Sequence, residues 1–164
     1  MSLPAGPWRY LFADRELIQG PAQITRTFPL DEYPVFIREG AIVPLKVTRP
    51  YTGFGDNESG AYTTWLIYPR GKNEFTLWHP ETHPAPDTTT VKVDSGESLR
   101  FEFSGKREPH ILRIAASEKP VAVALDGKEL PEGEAWWFEP QAAKLIIKTR
   151  DYTEGRYEIR RRRK

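Results

Sequence analysis

The sequence predicts an all-β protein: an antiparallel β-sandwich preceded by a short β-rich proximal segment. Apolar and polar residues alternate with period two in segment after segment, the pattern of strands with one face on a core and one in water. Turn residues separate those segments at short intervals, as in Pro69–Asn73, Asp94–Glu97, Asp126–Glu129 and Pro131–Glu134. No window sustains a 3.6-residue apolar period with caps, so about ten short strands and no helix are expected. A closed barrel is the alternative arrangement.

The first element is the dense passage Phe28–Leu45, FPLDEYPVFIREGAIVPL. Pro34 donates no ladder hydrogen bond and biases Tyr33 to extended backbone, so Leu30–Pro34 is no central strand. Val35–Ile37 then reads as a short strand. Gly40 accepts positive φ without steric cost and predicts a tight turn. Ala41–Val43 reads as a second short strand, stopped at Pro44. Strands so short and apolar on both sides need a covering surface, either the rest of this chain or another domain.

A loop follows at Pro50–Gly60, PYTGFGDNESG, with three glycines and little to bury. It divides the chain into a proximal β segment over 3–50 and a distal sandwich over 56–164. In the distal part the expected strands are Trp65–Tyr68, Glu74–Trp78, the stretch around Val91 and Val93, and Leu99–Phe103. Ile111–Ala116, Val121–Leu125, Ala135–Phe138, Leu145–Lys148 and Arg156–Ile159 complete the set.

Leu3-Pro4, Gly6, Trp8 and then Pro29-Leu30, Pro34-Val35-Phe36, Arg38, Gly40-Ala41-Ile42 and Pro44 stand in a spacing that resembles glycoside hydrolase family 31, the α-glucosidase and α-xylosidase family. The matching segment of that family follows its catalytic barrel. Thr63–Thr82 resembles the strand, Tyr-Pro turn and strand that open the family's distal C-terminal sandwich, and Lys119–Leu130 resembles a later strand and turn of that domain. The likeness is strong to residue 45 and moderate beyond. Where the family writes an acidic Tyr-Glu-Asp-Asp-Gly segment, this chain has Trp78-His79-Pro80-Glu81-Thr82.

The resemblance implies a non-catalytic C-terminal accessory region that stabilises or positions a (β/α)8 barrel of the parent chain. Retaining hydrolysis in such an enzyme uses two carboxyl groups roughly 5–5.5 Å apart. The family places them on the barrel, in a Trp-x-Asp-Met motif absent from this sequence, so the parent is expected to be a retaining α-glycosidase and this chain inactive alone. No catalytic residue, metal or cofactor is assigned. The resemblance gives the docking side to Pro34, Phe36, Arg38, Gly40, Ile42 and Pro44. Earlier strands of the family's proximal domain would be missing, which predicts an unpaired strand edge liable to self-association.

Charge supports no other partner class: 24 basic and 23 acidic side chains give a net charge of +1, too little to steer nucleic acid or a membrane surface. The basic tail Arg160–Lys164 reads as a solvated terminus. There is no cysteine, and neither a signal peptide nor a membrane-length apolar run is visible, so the compartment stays open. Asp14 with Glu16, Asp31 with Glu32 and Asp56 with Glu58 read as solvated carboxylates beside turns. His79, Glu81 and His83 invite a metal reading, but Pro80 and Pro84 forbid the helix that such spacing needs. His110 reads as a partly exposed edge residue. The tryptophans carry the alternative function, an independent carbohydrate-binding sandwich with Trp136 or Trp137 plus Trp78 as an aromatic platform. Adjacent Trp136 and Trp137 must face opposite ways in a strand.

Overall fold

A computed structural model describes residues 1–47, 57–80, 87–149 and 155–161. Most of the expected junction, Glu81 and His83, and the last three residues of the basic tail lie outside the described residues. A three-stranded sheet holds β1 (Ser2–Tyr10), β2 (Ile18–Gln23) and β3 (Phe36–Arg38) in the order β2-β1-β3. A five-stranded sheet contains β4 (Ile42–Leu45), β5 (Thr63–Ile67), β9 (His110–Ala115), β12 (Trp136–Glu139) and β13 (Lys144–Thr149), in the order β12-β13-β9-β5-β4. The remaining strands are β6 (Lys72–His79), β7 (Asp87–Ser95), β8 (Leu99–Gly105), β10 (Ala122–Leu125), β11 (Lys128–Glu129) and β14 (Gly155–Arg160). They form a six-stranded sheet ordered β11-β10-β14-β8-β7-β6.

The five- and six-stranded sheets make the sandwich. Period-two alternation sends Val91 and Val93 of β7 and Leu99, Phe101 and Phe103 of β8 inward, all at most 2% exposed. Trp65, Ile67, Leu112, Ile114, Leu145 and Ile147 meet them from the facing sheet. Trp65 packs edge-on against Phe103, with ring centroids 5.8 Å apart. Asp126 and Gly127 both take positive φ, 49° and 78°, closing the β10–β11 hairpin as the Asp-Gly signature predicts. Val121, expected on the inner face with Val123, is instead 59% exposed, because the strand begins one residue later at Ala122.

Three expectations need correcting. The sandwich is not wholly antiparallel: β5 and β9 pair in parallel, because the chain passes through β6, β7 and β8 of the opposite sheet before returning beside β5. The second proximal strand does not stop at Pro44 but runs on to Leu45. Tyr68 N–H donates to the Ala41 carbonyl at 3.0 Å, so alternation puts Pro44, opposite Trp65, at a non-hydrogen-bonded site. Its nitrogen faces away from β5, which an edge strand tolerates. Finally, β4 belongs to the sandwich, since it pairs with β5 along Ile42–Leu45 and buries Ile42 in the main core.

The three-stranded sheet lies over the outer face of the five-stranded one. Ile37 of β3 joins Leu66 and Tyr68 in a second buried cluster, with Leu11, Val43 and Ala115 against it. Its long strands β1 and β2 were not legible as strands. Leu3, Pro7 and Tyr10 are the buried residues of β1, and this irregular spacing crosses a register shift between Leu3 and Gly6. Both ends of this sheet are blunted, by Pro21 in β2 and by the three-residue length of β3.

Candidate functional site

A cluster of interacting polar side chains lies where the three-stranded sheet meets the sandwich. β1 delivers Arg9, and the 3₁₀ turn Leu11–Ala13 carries the chain round to Asp14. The Asp14 carboxylate accepts hydrogen bonds from the Tyr68 hydroxyl at the end of β5 and from Lys144 Nζ in β13. Arg9 donates to Glu39 in the β3–β4 turn and to the Asp14 carbonyl at 2.6 Å. The Lys144 ammonium also sits 5.1 Å from the centre of the Tyr68 ring. Asp14 is therefore no solvated surface carboxylate; its side chain is 13% exposed and that of Lys144 only 6%. Burial lowers the Lys144 pKa, with Asp14 partly restoring it, and burial plus the bond to Asp14 raise that of Tyr68. These groups are satisfied by one another, so the arrangement is a seam that locks two layers together.

Beyond the seam the three-stranded sheet bears an aromatic cluster. The Tyr10 ring lies 5.7 Å from Phe12, 5.5 Å from Phe28 and 5.4 Å from Phe36. The Arg26 guanidinium stands 4.5 Å from the Tyr10 centroid, and the Tyr10 hydroxyl donates to Glu32. Glu32 is thus engaged, unlike the solvated group expected. Above this cluster the loop before β3 turns apolar side chains to water: Leu30 is fully exposed, Tyr33 79% and Val35 39%.

The six expected docking residues divide between two places. Pro34 and Arg38 are exposed on the three-stranded sheet, and Phe36 is half-buried in its aromatic cluster. Gly40 has φ of +95° and forms the turn, its amide donating to the Tyr68 carbonyl at 2.7 Å. Ile42 is buried in the main core and is not free to seat a partner, and Pro44 is half-buried in β4, the border strand of the five-stranded sheet.

The three tryptophans also separate. Trp136 is 3% exposed in the main core, its Nε1 donating to the Leu130 carbonyl at 3.0 Å. It is filling the sandwich and presents no platform. Trp137 points to the other face, half-buried, with Nε1 donating to Glu139 at 3.1 Å. Trp78 is 63% exposed on β6. β6 and β4 lie against each other at one flank of the sandwich, whereas β12 borders the five-stranded sheet at its other flank. Trp78 and Trp137 therefore do not form one platform.

His110, expected at a partly exposed edge, is fully buried at the start of the central strand β9. Its ring stacks on Phe103, 4.6 Å away at an interplanar angle of 3°, and its Nε2 shares a 2.8 Å hydrogen bond with the Tyr157 hydroxyl. Burial pushes its pKa down to about 4, partly offset by the Glu108 backbone. His79 is buried too and shares a 2.9 Å hydrogen bond with Thr89. Among the described residues no group of three or more His, Asp or Glu side chains is placed to hold a metal ion.

No family model matches the sequence, and no curated protein matches it. Solved structures do. The GH31 dextranase of Flavobacterium johnsoniae, complexed with glucose, superposes on 98% of this chain with a TM-score of 0.78 and 18% identity. The chain carries the fold of one part of a GH31 enzyme. A complex of that dextranase with isomaltotriose gives a TM-score of 0.77 at 18% identity. The cycloalternan-forming enzyme of Listeria monocytogenes, in complex with a pentasaccharide substrate, matches 98% of the chain with a TM-score of 0.79 and 16% identity. The chain spans 24% of the dextranase and 16% of the cycloalternan-forming enzyme. At these identities the likeness is one of fold, and the shared GH31 fold includes both the sandwich and the three-stranded sheet over it.

Proposed function

We propose that this chain is a non-catalytic C-terminal accessory region of a family-31 glycoside hydrolase, an α-glucosidase or α-xylosidase in the broad sense, and that it seats on the catalytic barrel through its three-stranded sheet. One observation carries the reading. Among the described residues, the large exposed apolar side chains concentrate before residue 36: Met1, Phe12, Leu17, Leu30, Tyr33 and Val35, against only Phe75, Trp78 and Val121 afterwards. An apolar loop held over a packed aromatic cluster, with Pro34 and Arg38 beside it, is the composition of an interface. The loop is tied down by Glu32, which accepts from the Tyr10 hydroxyl, and by the Val35 carbonyl, which accepts from the Leu11 amide at 3.0 Å, so it meets a partner already partly shaped. The seam through Arg9, Asp14, Tyr68 and Lys144 would then carry that anchorage into the sandwich, which stabilises or positions the barrel.

The test mixes this chain with a family-31 catalytic domain stripped of its own C-terminal region. The expected result is a complex on size-exclusion chromatography and a higher Tm for the catalytic domain. Both effects should be lost with the Leu30→Asp/Tyr33→Asp double variant, whose sites are too exposed to disturb the fold. A catalytic domain indifferent to the chain, or sugar turnover by the chain alone, overturns the reading.

A further inference from the structure

We propose that the outer face of the six-stranded sheet is a binding surface for neutral oligosaccharides, with the Trp78 indole as its platform. In β6 the inner positions run Phe75, Leu77 and His79, so Lys72, Glu74, Thr76 and Trp78 share the outer face. The register then lays down rows across the sheet. Trp78 pairs with Thr88, and Thr76 pairs with Thr90, which pairs with Ser104. The Thr76 and Thr90 hydroxyls are 3.0 Å apart and hydrogen-bonded. The next row is Glu74, Lys92, Glu102 and Arg156, and the one after it Lys72, Asp94, Arg100 and Glu158.

These rows supply what a pyranose chain presents. A sugar ring has an apolar C–H face, which an exposed indole can cover, and a rim of hydroxyls that each donate and accept. Threonine and serine hydroxyls beside the indole can do both, while alternating carboxylates and cations offer acceptors and donors at steps of about 4.8 Å across the strands. Successive rows are about 7 Å apart along the strands, so the face extends past the indole far enough to follow a short glycan. The two charged rows line a trough of about 600 Å³, within the about 300–1,000 Å³ of small-molecule sites.

Charge decides the ligand class. The charged rows hold four acids and four bases, a net of zero, so they do not draw an anionic polymer. Their contacts, Lys92–Glu74 at 3.9 Å, Arg100–Glu158 at 3.5 Å and Arg156–Glu102 at 3.9 Å, are solvent-exposed and contribute about 1 kcal/mol or less each. Their side chains can therefore turn to a ligand at little cost.

This surface belongs to the sandwich and not to the docking sheet, so it can fail while the accessory role stands, and the reverse. The test is affinity electrophoresis of the 164-residue chain through gels containing dextran, glycogen or, as a charged control, carboxymethylcellulose. Dextran or glycogen should retard the wild type. Trp78→Ala should weaken that retardation roughly tenfold or more, and Thr90→Val, which keeps shape but removes a hydroxyl, should weaken it severalfold with an unchanged circular dichroism spectrum. The inference is overturned by mobility unchanged in both neutral polysaccharides, by retardation in carboxymethylcellulose alone, or by neutral-glycan retardation that survives Trp78→Ala.

Discussion

Acidification from pH 7 to pH 5 should destabilise the fold by about 2 kcal/mol through His110 alone. The ring is wholly buried between Phe103 and Tyr157, and its pKa falls from 6.5 to about 4. Because the folded-state value is the lower one, the unfolded chain takes up the proton first. The contribution is therefore complete above pH 6.5 and erodes as the pH falls toward 4. At about 1.36 kcal/mol per pH unit the whole interval is worth about 3 kcal/mol, of which about 2 is gone by pH 5. Urea unfolding followed by tryptophan fluorescence, at both pH values, measures it. His110→Phe keeps a flat ring against Phe103 but cannot titrate. Losing the Tyr157 hydrogen bond costs the variant about 1 kcal/mol at either pH. Contributions from sites that do not touch His110 are common to both proteins and cancel in the difference. The wild type should thus lose about 2 kcal/mol more than the variant between pH 7 and 5. Parallel pH profiles for the two proteins would refute a buried, neutral His110.

Two further perturbations probe the layers and their turns. Lys144→Met should destabilise by about 3 kcal/mol, since it strands the half-buried Asp14 carboxylate, and adding Asp14→Asn should recover a good part of the loss; additive losses in urea titrations would count against the pair. Gly105→Ala should cost at least about 2 kcal/mol, because φ is +111° and the new methyl would stand 1.9 Å from the Thr88 carbonyl oxygen. Gly71→Ala, at φ +63° with nothing within 4 Å, should cost only about 1 kcal/mol, so calorimetry should separate the two variants by several degrees in Tm.

What could be read from the chain was whatever short-range chemistry dictates. Alternation in β7 and β8 gave their inner faces residue by residue, and Gly40 and Asp126-Gly127 announced their turns. The opposite facing of Trp136 and Trp137 also follows from pleating alone, though pleating does not say which one is core. The misses share a different origin. Asp14 meets Tyr68 and Lys144 across 54 and 130 positions, and His110 meets Tyr157 across 47, distances no local pattern encodes. β1 was hidden by Pro4, Gly6 and Pro7, and the irregular spacing of its buried residues, Leu3, Pro7 and Tyr10, follows a register shift and not strict alternation. Pro44 misled because a proline ends a central strand but not an edge strand whose nitrogen looks outward. In the candidate site, the non-strand character of Leu30–Pro34 was legible, whereas the exposure of its apolar side chains and the ionic seam were not.

The position of β4 reaches beyond packing. Its four residues are covalently continuous with the three-stranded sheet through the Gly40 turn, yet they border the sandwich and pair with β5. A genetic exchange that broke the gene at the glycine-rich junction would hand its recipient a sandwich without its border strand and leave the donor a sheet with a dangling tail. The two halves are thus tied to a common inheritance.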